Sequence, residues 1–125
     1  MNSARVRGVT PSLVPGKNFP QTGSFGPWLV TSDEIENPQD LELTTRLNGE
    51  VMQHTNTSDM IFEVRKLIEY CTTFTELAPG DVIVTGTTGG VGAFREPPVW
   101  MKPGDIVEVE ISSIGILRNI IADEK

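Results

Sequence analysis

Cysteine is all but missing from this chain: Cys71 is the single one among 125 residues. That excludes an internal disulfide and fits a reducing compartment, expected here to be the cytoplasm. Histidine is equally scarce, with His54 alone. Neither a His-x-x-x-His nor a paired-cysteine spacing offers a ready metal-ligand set. Positive charge is short as well: 10 Lys and Arg face 17 Asp and Glu, for a net charge of −7. A nucleic-acid partner would want a clustered basic surface, so that class is excluded. No apolar run approaches the ~20 residues of a membrane-spanning helix. Residues 1–20 carry Arg5, Arg7 and Lys17 but no apolar stretch of the secretory type, so no export signal is expected. The length suits one domain, enough for a single core but small for a self-contained enzyme.

What the chain does have is turn chemistry between short periodic runs. Residues 1–15 follow neither helical nor strand period and, with Gly8, Pro11 and Pro15, are expected to be irregular. Residues 16–125 are expected to form the β domain. It opens with GKNFPQTGSFGP, a glycine- and proline-rich loop with one cation, Lys17, and continues into Trp28-Leu29-Val30-Thr31, which reads as a strand. Asp33, Glu34, Glu36 and Asp40 then crowd a connector that has neither the glycine nor the spacing of a calcium loop, and a solvated acidic loop is expected.

Leu41, Leu43, Thr45 and Leu47 alternate with polar residues up to Asn48-Gly49, and a second run follows from Glu50. Asn-Gly between two such runs predicts a hairpin, because both turn positions need φ > 0. The period then changes: Met60, Ile61, Val64, Leu67, Ile68 and Cys71 recur at helical spacing, with Thr57, Ser58 or Asp59 as N-cap. That helix is expected to anchor the core, at ~1.5–3 kcal/mol for each buried apolar side chain. Cys71, on its apolar face, reads as a buried inert thiol. Pro79-Gly80-Asp81 and Pro103-Gly104-Asp105 repeat one turn. The first launches Val82-Ile83-Val84, read as a buried strand, and the second launches 106–111. With Gly115 separating that strand from 116–122, a terminal hairpin is expected. Six or seven strands and one helix predict a mostly β domain, a folded-over sandwich.

The stretch after Val84, TGTTGGVG, combines hydroxyls with almost no side-chain bulk. Glycines let backbone amides approach a ligand, and threonines add donors and acceptors. A phosphate loop is excluded, since Ala93-Phe94 follows Gly92 where lysine and a hydroxyl are required. A dinucleotide fingerprint is excluded because Pro97-Pro98 forbids a long following helix. Lys17 and the hydroxyls of Thr85, Thr87 and Thr88 suit an anionic oxygen ligand. They equally suit ordinary loops. His54, alone in or at the end of a strand, reads as a structural histidine.

Gly16-Lys17-Asn18-Phe19, Phe25-Gly26-Pro27-Trp28, Asn48-Gly49-Glu50, Leu77-x-Pro79-Gly80-Asp81, Thr85-Gly86-Thr87, Gly90-Val91-Gly92 and Pro103-Gly104-Asp105 occur in this order. Together they resemble the C-terminal part of the fumarylacetoacetate hydrolase family, from Gly16 to Glu124. The resemblance implies an α+β, mostly β fold, a mixed β-sandwich roll, and a homodimer. It implies Mg²⁺- or Mn²⁺-dependent enzymes acting on 1,3-dicarbonyl or 2-oxo acids by C–C hydrolysis, decarboxylation, isomerisation or hydration, including aromatic catabolism. Lewis-acid and electrostatic stabilisation of an enolate would carry the hydrolysis. Lys17 matches the family's loop lysine, catalytic and near metal and substrate. Thr87 matches the threonine that holds a substrate carboxylate or carbonyl, with Gly86 and Thr88 beside it in the substrate-binding loop.

The chain also departs from the family pattern. Ser3-Ala4-Arg5 is present, but Met1 stands where the family carries a metal-binding aspartate and Val6 where another aspartate follows. The family's Glu-x-Glu metal pair and its helical lid belong further upstream. The resemblance therefore implies a chain truncated at its N-terminus, a late start assigned to its gene, or one part of a split enzyme. Such a chain would have no metal ligands of its own, would bind no Mg²⁺ or Mn²⁺ tightly and would be inactive alone. It would act with a missing N-terminal part or as a homodimer on a small 2-oxo acid. The second expectation is a non-catalytic β module that mediates assembly.

Overall fold

The computed structural model describes residues 22–123. Four strands form one antiparallel sheet: β1 Glu42–Leu47, β2 Glu50–Asn56, β3 Ile106–Ile111 and β4 Gly115–Ile120, in spatial order β2-β1-β3-β4. The two hairpins expected from the sequence are both present and lie side by side through β1 and β3. Asn48 and Gly49 adopt φ of 52° and 85°, the left-handed pair that a two-residue hairpin turn requires.

Paired residues share a face, so the register sorts the side chains. Leu43, Thr45 and Leu47 of β1 lie opposite Ile111, Val109 and Val107 of β3, which in turn oppose Gly115, Leu117 and Asn119 of β4. This is the inner, apolar face. The other face carries a charged stripe, with Arg46 bonded to Glu110 at 2.6 Å and Arg118 to Glu108 at 3.3 Å.

Both Pro-Gly-Asp turns close in the same way. Asp81 N–H donates to Ala78 C=O while its carboxylate accepts from Ala78 N–H. Asp105 repeats this with Lys102. Gly80 and Gly104 sit at φ of 102° and 91°, which only glycine adopts without strain.

Several expectations are corrected. Val82-Ile83-Val84 joins no ladder, and Val84 is 86% exposed. A β-branched run favours extended backbone, but a strand also needs a neighbour. At Met52–Gln53 the outer edge of β2 is taken up by the loop that follows. Residues 28–31 are likewise no strand: Trp28 lies across the face of β4, where a Cβ on Gly115 would meet its ring at 3.1 Å. Among the described residues the sheet thus has four strands rather than six or seven.

The helix α1 is Val64–Cys71, shorter than expected. Thr57–Asp59 makes a separate 3₁₀ turn capped by Asn56, whose side chain accepts from Ser58 N–H. Glu63 gives α1 no side-chain cap. Gln39 does so from a distance, its Oε1 accepting from Val64 N–H at 2.8 Å. The helix buries none of its residues. Cys71 is free and only half-buried, and Ile68 stays 42% exposed. No described side chain is fully buried, so α1 is not the core anchor expected from its period.

Candidate functional site

The Gly-Thr loop, residues 85–92, is seated on an irregularity in β2. Thr45 pairs with Gln53, but Arg46 pairs with Val51, leaving Met52 as an extra residue. Such a bulge reverses the facing of everything beyond it. Without it Gln53 would oppose Thr44 on the charged face. With it, Gln53 opposes Thr45 and joins the inner face.

From there the Gln53 amide reaches the loop. Its Nε2 donates to Thr87 Oγ1 at 3.0 Å, Thr88 C=O at 3.0 Å and Gly89 C=O at 3.3 Å. Two carbonyl acceptors fix which end of the amide faces the loop. Arg95 completes the attachment, donating from Nε to Gly90 C=O at 3.0 Å and from Nη2 to Met52 C=O. Gly90 lies so close that a Cβ there would overlap Met52 C=O, and its φ is +92°. The loop then closes through a 3₁₀ turn, Gly92–Phe94, with Val99 N–H donating to Gly92 C=O at 2.9 Å.

Of the expected site residues, Thr87 is exposed beside Gly86 at φ +118°, and Thr88 is half-buried. Lys17 lies outside the described residues. The chain following it crosses the same inner face at the opposite edge: Ser24 Oγ donates to Asn119 Oδ1 at 2.9 Å, and a Cβ on Gly26 would touch Leu117. Residues 24–26 and the Gly-Thr loop thus lie at opposite edges of one sheet face, beside β4 and β2.

Sequence reasoning missed Gln53 and Arg95. A polar residue in a strand carries no mark of a bulge beside it, and Arg95 acts only on backbone carbonyls. His54 is in β2, on the charged face, with Nδ1 3.0 Å from Thr44 Oγ1 and Nε2 3.5 Å from Glu42.

Two Glu-x-Glu spacings do occur, at Glu34/Glu36 and Glu108/Glu110. Glu34 accepts from Thr31, while Glu108 and Glu110 are held by arginines on the outer face. Among the described residues no group of three or more His, Cys, Asp or Glu is placed to hold a metal ion. The described part does not fit a divalent cation, which wants several oxygen ligands. An apolar groove of about 550 Å³ near Phe25, Trp28, Ile35, Leu41 and Ile111 lies away from the loop's threonines.

The profile of the fumarylacetoacetate (FAA) hydrolase C-terminal family matches residues 3–122. The chain belongs to this family. It is 47% identical over 104 residues to a mitochondrial oxaloacetate tautomerase of Bos taurus, covering 83% of this chain and 33% of that protein. The homologous tautomerase of Xenopus laevis is 45% identical over the same share of each chain. The chain therefore spans about a third of the length of the curated relatives it matches. Among solved structures, a fumarylacetoacetate hydrolase from Exiguobacterium antarcticum superposes with a TM-score of 0.77 at 39% identity, covering 80% of this chain and 36% of that one. A maleylpyruvate hydrolase from Sphingobium sp. SYK-6, in complex with manganese (II) ion and pyruvate, gives 0.71 at 30% identity, covering 80% and 35%. The mostly antiparallel β architecture with few helices is the family's C-terminal fold, and the chain is a segment of the enzyme-bearing part of that family.

Proposed function

We propose that this chain supplies the carboxylate-binding side of a fumarylacetoacetate hydrolase-type site acting on small 2-oxo acids or 1,3-dicarbonyl acids. Oxaloacetate tautomerisation leads the candidate reactions, ahead of C–C hydrolysis, decarboxylation and hydration. The observation that carries this is the exposed Thr87 hydroxyl, presented by a glycine loop fastened to the sheet through Gln53 and Arg95. A hydroxyl beside backbone amides donates to an anionic oxygen, and donors aimed at an anion outweigh neutral ones about twofold. Thr88 and Gly86 shape the same loop, and Lys17 is assigned the neutralising charge. Holding the acid in one orientation is what a tautomerase needs before any proton moves.

In this reading Mg²⁺ or Mn²⁺ is ligated by residues other than the described ones, so the chain alone binds neither tightly and is inactive. Among the described residues, the 17 large apolar ones left exposed favour association, either as a homodimer or with the part of the family enzyme that this chain does not span. Residues 1–15 would belong to that upstream part and 16–125 to the β domain. A cytoplasmic location is kept on the free thiol of Cys71, although the curated vertebrate relatives above are mitochondrial. Among the described residues, no helix is long and apolar enough to cross a membrane.

The test is a titration of the chain with oxalate, a planar dianion resembling an enolised 2-oxo acid, followed residue by residue by amide NMR. The largest shifts are expected at 86–89. Shifts confined to the charged outer face, or none at all, would overturn the assignment.

A further inference from the structure

We infer that Gln53 is a positioning residue for the substrate-binding threonine: it sets the direction in which the Thr87 hydroxyl points its proton. The inference rests on Thr87 being the anion-binding hydroxyl. A hydroxyl has one proton to donate and two lone pairs to accept with. Gln53 Nε2 lies 3.0 Å from Thr87 Oγ1, and the same amide nitrogen faces Thr88 C=O and Gly89 C=O. Neither carbonyl can donate and the amide nitrogen cannot accept, so the NH₂ end faces the loop with its two protons shared among three oxygens, and at this contact Thr87 Oγ1 is an acceptor and not a donor. One lone pair is thereby engaged on the protein side, and the O–H is left to point outward at an anionic oxygen. An aliphatic side chain at position 53 would leave the hydroxyl free to rotate.

The position of Gln53 is itself a product of the fold. The extra residue Met52 turns Gln53 onto the inner face. The Met52 carbonyl is covered by Arg95 and lies against Gly90, so the bulge and the loop are fixed to each other.

The test is a double-mutant cycle read by oxalate affinity in the NMR titration, using the wild type, Gln53→Met, Thr87→Val and the double variant. Thr87→Val is expected to weaken oxalate roughly tenfold or more, the loss of one hydrogen bond to a charged group. Gln53→Met is expected to weaken it several-fold. In the Thr87→Val background the change at Gln53 should have a much smaller effect, since only its bonds to Thr88 C=O and Gly89 C=O remain to be lost. A residue that merely supports the fold would weaken binding equally in both backgrounds, and that additivity would overturn the inference. So would a Gln53→Met protein that binds like the wild type while Thr87→Val does not. Oxalate binding that ignores Thr87→Val, or is absent from the wild type, contradicts the functional reading itself and takes the inference with it. If Gln53→Met does not fold, Gln53→Asn, which keeps the amide one methylene short of the loop, gives the same comparison.

Discussion

Asn48 acts on both sides of its turn. Its left-handed backbone makes the first hairpin possible, while its side chain donates to Asp105 Oδ1 at 2.9 Å and accepts from Ile106 N–H at 2.9 Å. The hairpin turn is thus tied to the Pro-Gly-Asp turn that starts β3. The Asn48 amide, and after it the Lys102 N–H, hold the Asp105 carboxyl below its ordinary range. A carboxylate depressed in the folded state stabilises above its unfolded value of about 3.9, and that contribution is lost as pH falls through the folded value. Asn48→Ala is therefore expected to lower the melting temperature by a constant amount from neutral pH down to about 5, with the gap to wild type shrinking below about 4. Melting curves across that range check this, and a gap that widens in acid would contradict it. At this scale the sequence showed Asn48-Gly49 plainly, because the turn's dihedral demand is local. Gln53 was invisible, because its facing depends on the count of residues between the turn and the bulge.

Elements follow the same division. Both hairpins and both Pro-Gly-Asp turns were legible, since alternation and turn residues encode them over a few positions. The run 82–84 and residues 28–31 have strand composition but no adjacent strand, and pairing is a property of two segments that composition in one does not report. The helix start was misplaced for a related reason: the group that caps Val64 N–H is Gln39, 25 residues earlier. Gln39 also donates to Thr57 C=O, so it joins the acidic connector, the 3₁₀ turn and α1. Gln39→Ala is expected to cost about 0.5–2 kcal/mol, as the loss of other helix caps does. Urea unfolding followed by far-ultraviolet circular dichroism measures it, and an unchanged midpoint would show that α1 starts without this cap.

At the scale of the whole molecule, the described residues form one wide sheet with a charged outer face and an inner face whose apolar side chains are only half covered by the described residues. The chain's family was legible because seven short turn and loop motifs kept their order. The half-covered inner face of the described residues was not, because burial depends on what lies against a face, and period reports only which side chains share it. The central claim is that the Gly-Thr loop on this sheet holds the acid on which a family enzyme acts. The most direct measurement is kcat/KM for oxaloacetate in a chimera of the bovine tautomerase in which residues 3–122 of this chain replace the matching part. Turnover is predicted to persist in the chimera and to fall roughly tenfold to a hundredfold with Thr87→Val, with a comparable or larger loss for Lys17→Ala. Turnover unchanged by both substitutions would contradict the account.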